Sequence, residues 1–239
     1  MRPFLTAWWR HLALLTYDLD RSTLEPFVPA GCTLDEHPRW PGRGLASLVA
    51  FDFEECAVWG ARWRIPGMRL VNFPEVNLRF YVRGPRGRGV CFVAELVPSR
   101  VVSVAARALY NEPYRAARME SRVVHDGGIV RVKHTWHRHG EHGLTLEAEG
   151  RPATPQPESV EHFFKEHEWG YGRDRRGRTL AYRVEHPVWR VFPVRAVRRS
   201  VGFAALYGEG FGGLEGREPI STVLAEGSAV AVYPPDRAP

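Results

Sequence analysis

Lysine is nearly missing from this 239-residue chain: of 33 basic residues only Lys133 and Lys165 are lysine, so 33 − 2 = 31 are arginine. Schiff-base chemistry needs a neutral primary amine, which lysine supplies when burial or a neighbouring cation lowers its pKa; arginine and tyrosine do not. Cysteine is scarce too. Cys32, Cys56 and Cys91 are widely spaced with no Cys-x-x-Cys pair, which argues against a zinc ribbon or dithiol motif and fits a reducing cytoplasm. No segment approaches a membrane span, and the short apolar stretch after Met1-Arg2 stops at Arg10-His11, so neither a membrane anchor nor a secretory leader is expected. His-Glu-x-x-His and Gly-x-Ser-x-Gly are absent, and Gly208 to Gly213 lacks the strand-turn-helix setting of a dinucleotide fingerprint.

The net charge of +6 raises the question of an anionic polymer as partner. The arginines are spread along the chain instead of gathering in one tail or helix, so no nucleic-acid partner is expected. His134, His137, His139 and His142 invite a metal reading. On a strand His137 and His139 share a face that His134 does not, so no metal is expected there. No cofactor is implied by any motif, and a homo-oligomer is left open.

At 44% hydrophobic the chain can bury a large core, and one domain over 1–239 is expected, with a sub-sheet boundary around the three prolines of 151–157. Strand patterns dominate. Leu45 to Phe53 is β-branched and aromatic, Glu75 to Arg83 alternates cleanly, and Gly84 to Gly89 turns the chain into the apolar Val90 to Val97. Three more alternating strands follow between Arg115 and Gly150, separated by Asp126-Gly127-Gly128 and Gly140 to Gly143. Further strands are read at Thr179 to Glu185, Trp189 to Val194 and Ala229 to Tyr233, with Gly208 to Gly216 as a flexible loop. Helices are predicted from Pro98-Ser99 to Leu109, ended by Asn111-Glu112-Pro113, and over Glu158 to Glu166.

Two segments carry chemistry on their own terms. One face of the Glu75 strand bears Glu75, Asn77, Arg79, Tyr81 and Arg83; alternation alone reads it as solvated, and the alternative is the wall of a polar cavity. At Glu166-His167-Glu168-Trp169-Gly170-Tyr171 an imidazole stands between two carboxylates, which suits a lid with acid–base capacity; the structural alternative packs Trp169 and Tyr171 and gives Gly170 a backbone role.

The blocks Phe4-Leu5-Thr6-Ala7-Trp8-Trp9-Arg10, Asn72 to Arg83 and Glu166 to Tyr171 together resemble the YqjF-like proteins, a family of unknown function. That family is similar to a distant branch of the acetoacetate decarboxylase-like superfamily, whose decarboxylases use the first of two adjacent lysines after a proline. In Asn111-Glu112-Pro113-Tyr114-Arg115-Ala116-Ala117 that pair reads Tyr114-Arg115, and neither lysine of the chain has such a setting. The resemblance implies a mainly β (α+β) fold, with antiparallel sheets curled into a barrel or sandwich around an interior cavity and a few short helices. It also implies that Glu75 matches an acidic strand residue of the superfamily, and that Arg10 joins the same cavity.

The function expected is binding of a small anionic or carbonyl ligand, without decarboxylation through the superfamily's lysine. Glu75, Tyr114 and His167 are the catalytic candidates, and Arg10, Arg79, Arg115 and Tyr171 the ligand contacts. In this reading Arg115 clamps a carboxylate and Tyr114 donates to a developing oxyanion; alternatively Tyr114 packs in the core and Arg115 pairs with Glu112. Two other functions stay open. One is a lyase or isomerase using Glu75 or His167 for proton transfer, the other a non-enzymatic sensing or interaction module whose eight tryptophans form an adhesive cavity or interface.

Overall fold

The computed structural model describes residues 2–58, 72–100, 103 and 113–237. Strands dominate, as the alternation predicts. In chain order they are β1 (Leu5–Leu19), β2 (Thr33–Leu34), β3 (Gly44–Val58), β4 (Phe73–Gly84), β5 (Gly87–Val97), β6 (Tyr114–Ala116), β7 (Arg118–Asp126), β8 (Ile129–His137) and β9 (Glu141–Glu149). After helix α2 (Val160–Lys165) come β10 (Trp169–Arg173), β11 (Thr179–Glu185), β12 (Val191–Phe192), β13 (Val194–Ser200), β14 (Ser221–Val232) and β15 (Asp236–Arg237). Helix α1 (Arg21–Leu24) follows β1, and α3 (Phe203–Tyr207) precedes β14.

The larger sheet runs β12-β14-β1-β3-β4-β5-β10-β11-β15, and β11 pairs back onto β14 through Val184↔Val232 and Glu185↔Ala231. That last pairing closes a ring. Closure leaves the barrel strands without free edges and gives every strand an inside and an outside. The smaller sheet, β13-β9-β8-β7, is fully antiparallel. Its β7–β8 turn is the expected Asp-Gly-Gly: Gly127 and Gly128 have φ of 54° and 79°, as a two-residue hairpin whose twist matches its strands requires.

The two sheets share one core. Leu78 and Phe80 from the outer face of β4 join Trp136 and Leu144 of the small sheet and Phe203 and Phe211 from the α3 region. This burial reverses the usual antiparallel pattern for β4, whose apolar residues face outward into that core while Glu75, Asn77 and Arg79 face the barrel interior. The solvated reading of that polar face is overturned from Glu75, 2% exposed, to Tyr81, and holds only at its end, where the Arg83 side chain is exposed and pairs with Asp35.

Several boundaries differ from the sequence reading, each for a local reason. Strand β1 has no clean alternation because it is bulged between Arg10 and Ala13, with His11 at φ 53°, and is buried on both faces over much of its length. The strand expected over Trp189 to Val194 is broken at Pro193, which has no N–H to donate, and the chain passes from the barrel edge at β12 to the small sheet at β13. The glycine-rich stretch is not a loose loop. Its Glu209–Leu214 turn of 3-10 helix carries Phe211 and Leu214 into the core. Of the helix read from Pro98-Ser99 to Leu109, Ser103 donates its N–H to the Ser99 carbonyl at 3.0 Å; residues 101–102 and 104–112, with Asn111 and Glu112, lie outside the described residues. The proline-rich stretch after β9 leads the chain from the small sheet into α2 and back to the barrel.

Candidate functional site

The barrel interior holds a cavity of about 100 Å³. Side chains from β1, β3, β4, β5, β10, β11 and β14 all reach it, as inward positions of a closed ring must. One side is aromatic: the Trp9 ring lies 5.3 Å from Phe51, 5.7 Å from Phe53 and 6.0 Å from Trp189. The opposite side is polar, built from Glu75, Asn77 and Arg79 of β4, with Glu95, Tyr114 and His167.

The polar residues hold one another in place. Asn77 Nδ2 donates to Glu75 Oε1 at 3.0 Å, and the Tyr114 hydroxyl donates to Glu75 Oε2 at 3.5 Å. Burial pushes the Glu75 carboxyl up from 4.5 to about 7, against the opposing pull of those two hydrogen bonds. Burial, with Glu75 and Glu95 nearby, drives Tyr114 well above its ordinary range, so it stays a protonated donor. Arg79 Nη2 donates to the Phe164 carbonyl at 2.9 Å, one of the last helical carbonyls of α2, which have no intrahelical partner. The end of α2 thus plugs the barrel and brings Lys165 and His167 into its interior.

Several buried polar atoms lining the cavity have no partner among the described residues, Trp9 Nε1 on the apolar side included. Neither ring nitrogen of His167 has a hydrogen-bond partner among the described residues, nor do Arg79 Nε and Asn77 Oδ1. His167 is held well below its ordinary pKa by burial first and then by the nearby Arg79 and Arg88 charges. At neutral pH it is therefore an uncharged imidazole, one donor and one acceptor.

Of the residues read from sequence, Glu75, Arg79, Tyr114 and His167 come together here, while Arg10, Arg115 and Tyr171 do not line the cavity. Arg10 follows the inward Trp9 and so points out of the barrel, pairing with Glu54 at 3.6 Å and lying 4.2 Å over the Trp8 ring. Arg115 follows the inward Tyr114 and, for the same reason, donates to the Leu206 carbonyl at 2.9 Å on the other face. Tyr171 clamps the β4–β5 hairpin: its hydroxyl donates to the Gly87 carbonyl and accepts from Arg86 N–H, both at 3.0 Å. Gly170 lies against the Tyr182 ring so closely that a Cβ there would sit 2.2 Å from Tyr182 Cζ. His142 is likewise structural, meeting the Arg138 carbonyl at 2.9 Å and the Gly202 N–H at 3.1 Å.

Sequence reasoning missed Glu95 and Lys165 as members of this cavity. Glu95 hides in the apolar run of β5 because a bulge opposite Leu78 and Arg79 shifts the register, so the inward set runs Val90, Phe92 and then Glu95. Its one signal was a lone charge in a buried strand. Lys165 had only its rarity.

A family model described as an uncharacterized conserved protein, DUF2071, matches residues 6–229. No curated protein matches the chain. Among solved structures, the enduracididine biosynthesis enzyme MppR complexed with pyruvate aligns with a TM-score of 0.67 at 14% identity over 100% of this chain and 92% of its own. An acetoacetate decarboxylase-like enzyme from Sphingomonas wittichii gives 0.66 at 14% identity, covering 100% and 95%. The acetoacetate decarboxylase of Legionella pneumophila gives 0.66 at 9% identity, covering 100% and 88%. At such identities the likeness establishes an acetoacetate decarboxylase-like fold.

Proposed function

The chain belongs to the DUF2071 family, and from the cavity inside its barrel we propose that it binds a small carbonyl compound, foremost one bearing a carboxylate. One observation carries this reading: the unpartnered Arg79 Nε and His167 ring nitrogens, among the described residues, in the polar wall of an otherwise largely apolar cavity. Buried polar atoms are nearly always satisfied, so a cluster of exceptions around one space points to a polar ligand that completes them. Arg79 supplies a fixed positive charge for a carboxylate, and neutral His167 donates to a carbonyl oxygen. The size agrees: a cavity of roughly 150 Å³ takes benzene, so about 100 Å³ suits a ligand of a few heavy atoms. Pyruvate, bound by the structural neighbour MppR, is of this class.

A second reading concerns turnover. In it Glu75, whose buried carboxyl titrates near 7, moves a proton to or from the carbon beside a bound carbonyl, an enolisation or lyase step; the raised pKa supports that role. His167 is the weaker candidate for that role because its pKa lies far below neutrality. The Tyr114-Arg115 segment offers no amine, so the superfamily's lysine route is not proposed there.

Calorimetric titration with pyruvate tests the binding. Arg79→Gln is expected to weaken it 10- to 100-fold, the loss of a charge-assisted contact worth about 1.5–3 kcal/mol. Equal affinity in wild type and variant, both folded, removes the proposal.

A further inference from the structure

The barrel wall is thin at one place. Strand β11 closes the ring through only two pairs with β14, Val184↔Val232 and Glu185↔Ala231, and then leaves it. The connector that follows fills the opening: His186 stacks on Trp189 with centroids 3.9 Å apart and planes 14° from parallel, and both rings line the interior cavity. The two rings are not held alike. Trp189 is pinned at two points, its N–H donating to Glu166 Oε1 at 3.2 Å and its Nε1 to Ser228 Oγ at 2.8 Å. Among the described residues the His186 ring is hydrogen-bonded to the neighbouring Pro187 carbonyl at 2.9 Å, while Glu166 Oε2, 3.8 Å from Nδ1, lies beyond hydrogen-bond reach.

His186 also lines a second space, a solvent-open groove of about 580 Å³ on the barrel surface, so one side chain borders both. Ala7 and Val230 of the groove belong to the same apolar cluster as Trp9, Phe51 and Trp189 of the cavity. Cavity and groove thus share the side chains that divide them. The groove itself is small-residued and apolar: Ala57, Ala229 and Ala231 line it, with Trp8. Trp8, 36% exposed, and Val188, next to Pro187 of the groove, are the large apolar side chains left exposed among the described residues. Two such side chains gathered beside one groove mark an apolar occupant. No arginine or lysine lines it among the described residues, and its carboxylates are Glu55 and Glu185, so an anionic group finds its cation at Arg79 inside and none here.

Resting on the carbonyl-binding reading above, we infer that the ligand is a 2-oxo acid with an unbranched alkyl tail, and that His186 swings aside to let the tail run from the cavity into the groove. The interior alone, about 100 Å³, is filled by a few heavy atoms, so a longer ligand must leave it through the wall. The order of surfaces matches such a molecule end to end, from Arg79 in the polar wall, past Trp9 and Trp189, to the alanines outside. Moving one imidazole opens a gap suited to a methylene chain. Burial holds His186 below its ordinary pKa, so at neutral pH the ring that moves is uncharged. Each methylene taken from water onto apolar surface tightens binding about fourfold.

Calorimetric titration of the full chain with pyruvate and with 2-oxooctanoate tests this. The expected result is one 2-oxooctanoate per chain, bound at least about tenfold more tightly than pyruvate, whereas a closed cavity would exclude its tail. Arg79→Gln should weaken both acids, which places both heads inside the barrel. Ala229→Trp, at the exposed position paired with Trp8, fills the groove and should erase the gain from the tail; if that variant fails to fold, the wild-type comparison and Arg79→Gln decide. Pyruvate bound as tightly as 2-oxooctanoate, a gain untouched by folded Ala229→Trp, or a 2-oxooctanoate affinity that ignores Arg79→Gln overturns the tail inference and leaves the binding reading intact. Binding of neither acid overturns both.

Discussion

Glu75 couples the site to pH. Its carboxyl titrates at about 7 in the folded chain and at its ordinary 4.5 when unfolded, so between those values the unfolded chain releases the proton first. Stability from this group is present below the lower value and is lost as pH rises through the upper one, a swing of about 3 kcal/mol at most. Chemical denaturation at pH 4.5, 6 and 8 should show that decline, and Glu75→Gln should flatten it. An unchanged slope in the variant would mean the titration belongs to another group. Much of this site was legible in the sequence. Glu75 and Arg79 stood on one face of an alternating strand, and Tyr114 and His167 stood in segments that the family resemblance marked. Arg10 and Arg115 were misplaced because each neighbours an inward aromatic, and strand alternation sends adjacent side chains to opposite faces. Lys165 and Glu95 depend on a helix end entering the barrel and on a bulge, and neither leaves a periodic trace.

The elements that frame the cavity are pinned by close backbone approaches. Tyr171 on β10 packs on Gly84 and Gly89 of the β4–β5 hairpin, where added Cβ atoms would lie 2.5 Å from its ring and 2.4 Å from the Trp169 carbonyl. Tyr171→Phe should therefore cost about 1–2 kcal/mol of stability through two lost hydrogen bonds, yet leave pyruvate affinity unchanged. A loss of affinity at full stability would instead make Tyr171 a ligand contact. Gly170→Ala drives a methyl into Tyr182 and should cost about 2 kcal/mol or more, a fall in Tm of roughly 4–8 °C by differential scanning calorimetry. The hairpin turns were readable because Asp-Gly-Gly demands positive φ at both glycines. Strand β1 was harder, since its bulge at His11 resets the inward parity from Trp9 to Leu12 midway.

At the scale of the whole molecule, the barrel is buried on both sides of β4, with the small sheet and α3 covering its apolar outer face. This arrangement makes sense of an alternation that points apolar residues outward and polar residues inward, which strand periodicity alone could not orient. The mainly β, curled architecture followed from the strand patterns and the family resemblance; closure through β11 and β14, a pairing between strands distant in sequence, did not. Because both sheets share one core, we propose a single folding unit, and near- and far-ultraviolet circular dichroism should melt together. Separate transitions would divide it. The central claim is that the barrel interior is a carbonyl-ligand site, and the most direct measurement is a crystal structure after soaking with pyruvate. The account predicts pyruvate in the cavity with an oxygen within hydrogen-bond distance of Arg79 Nε or His167; pyruvate bound only outside the barrel, or none bound at saturating concentration, would contradict it.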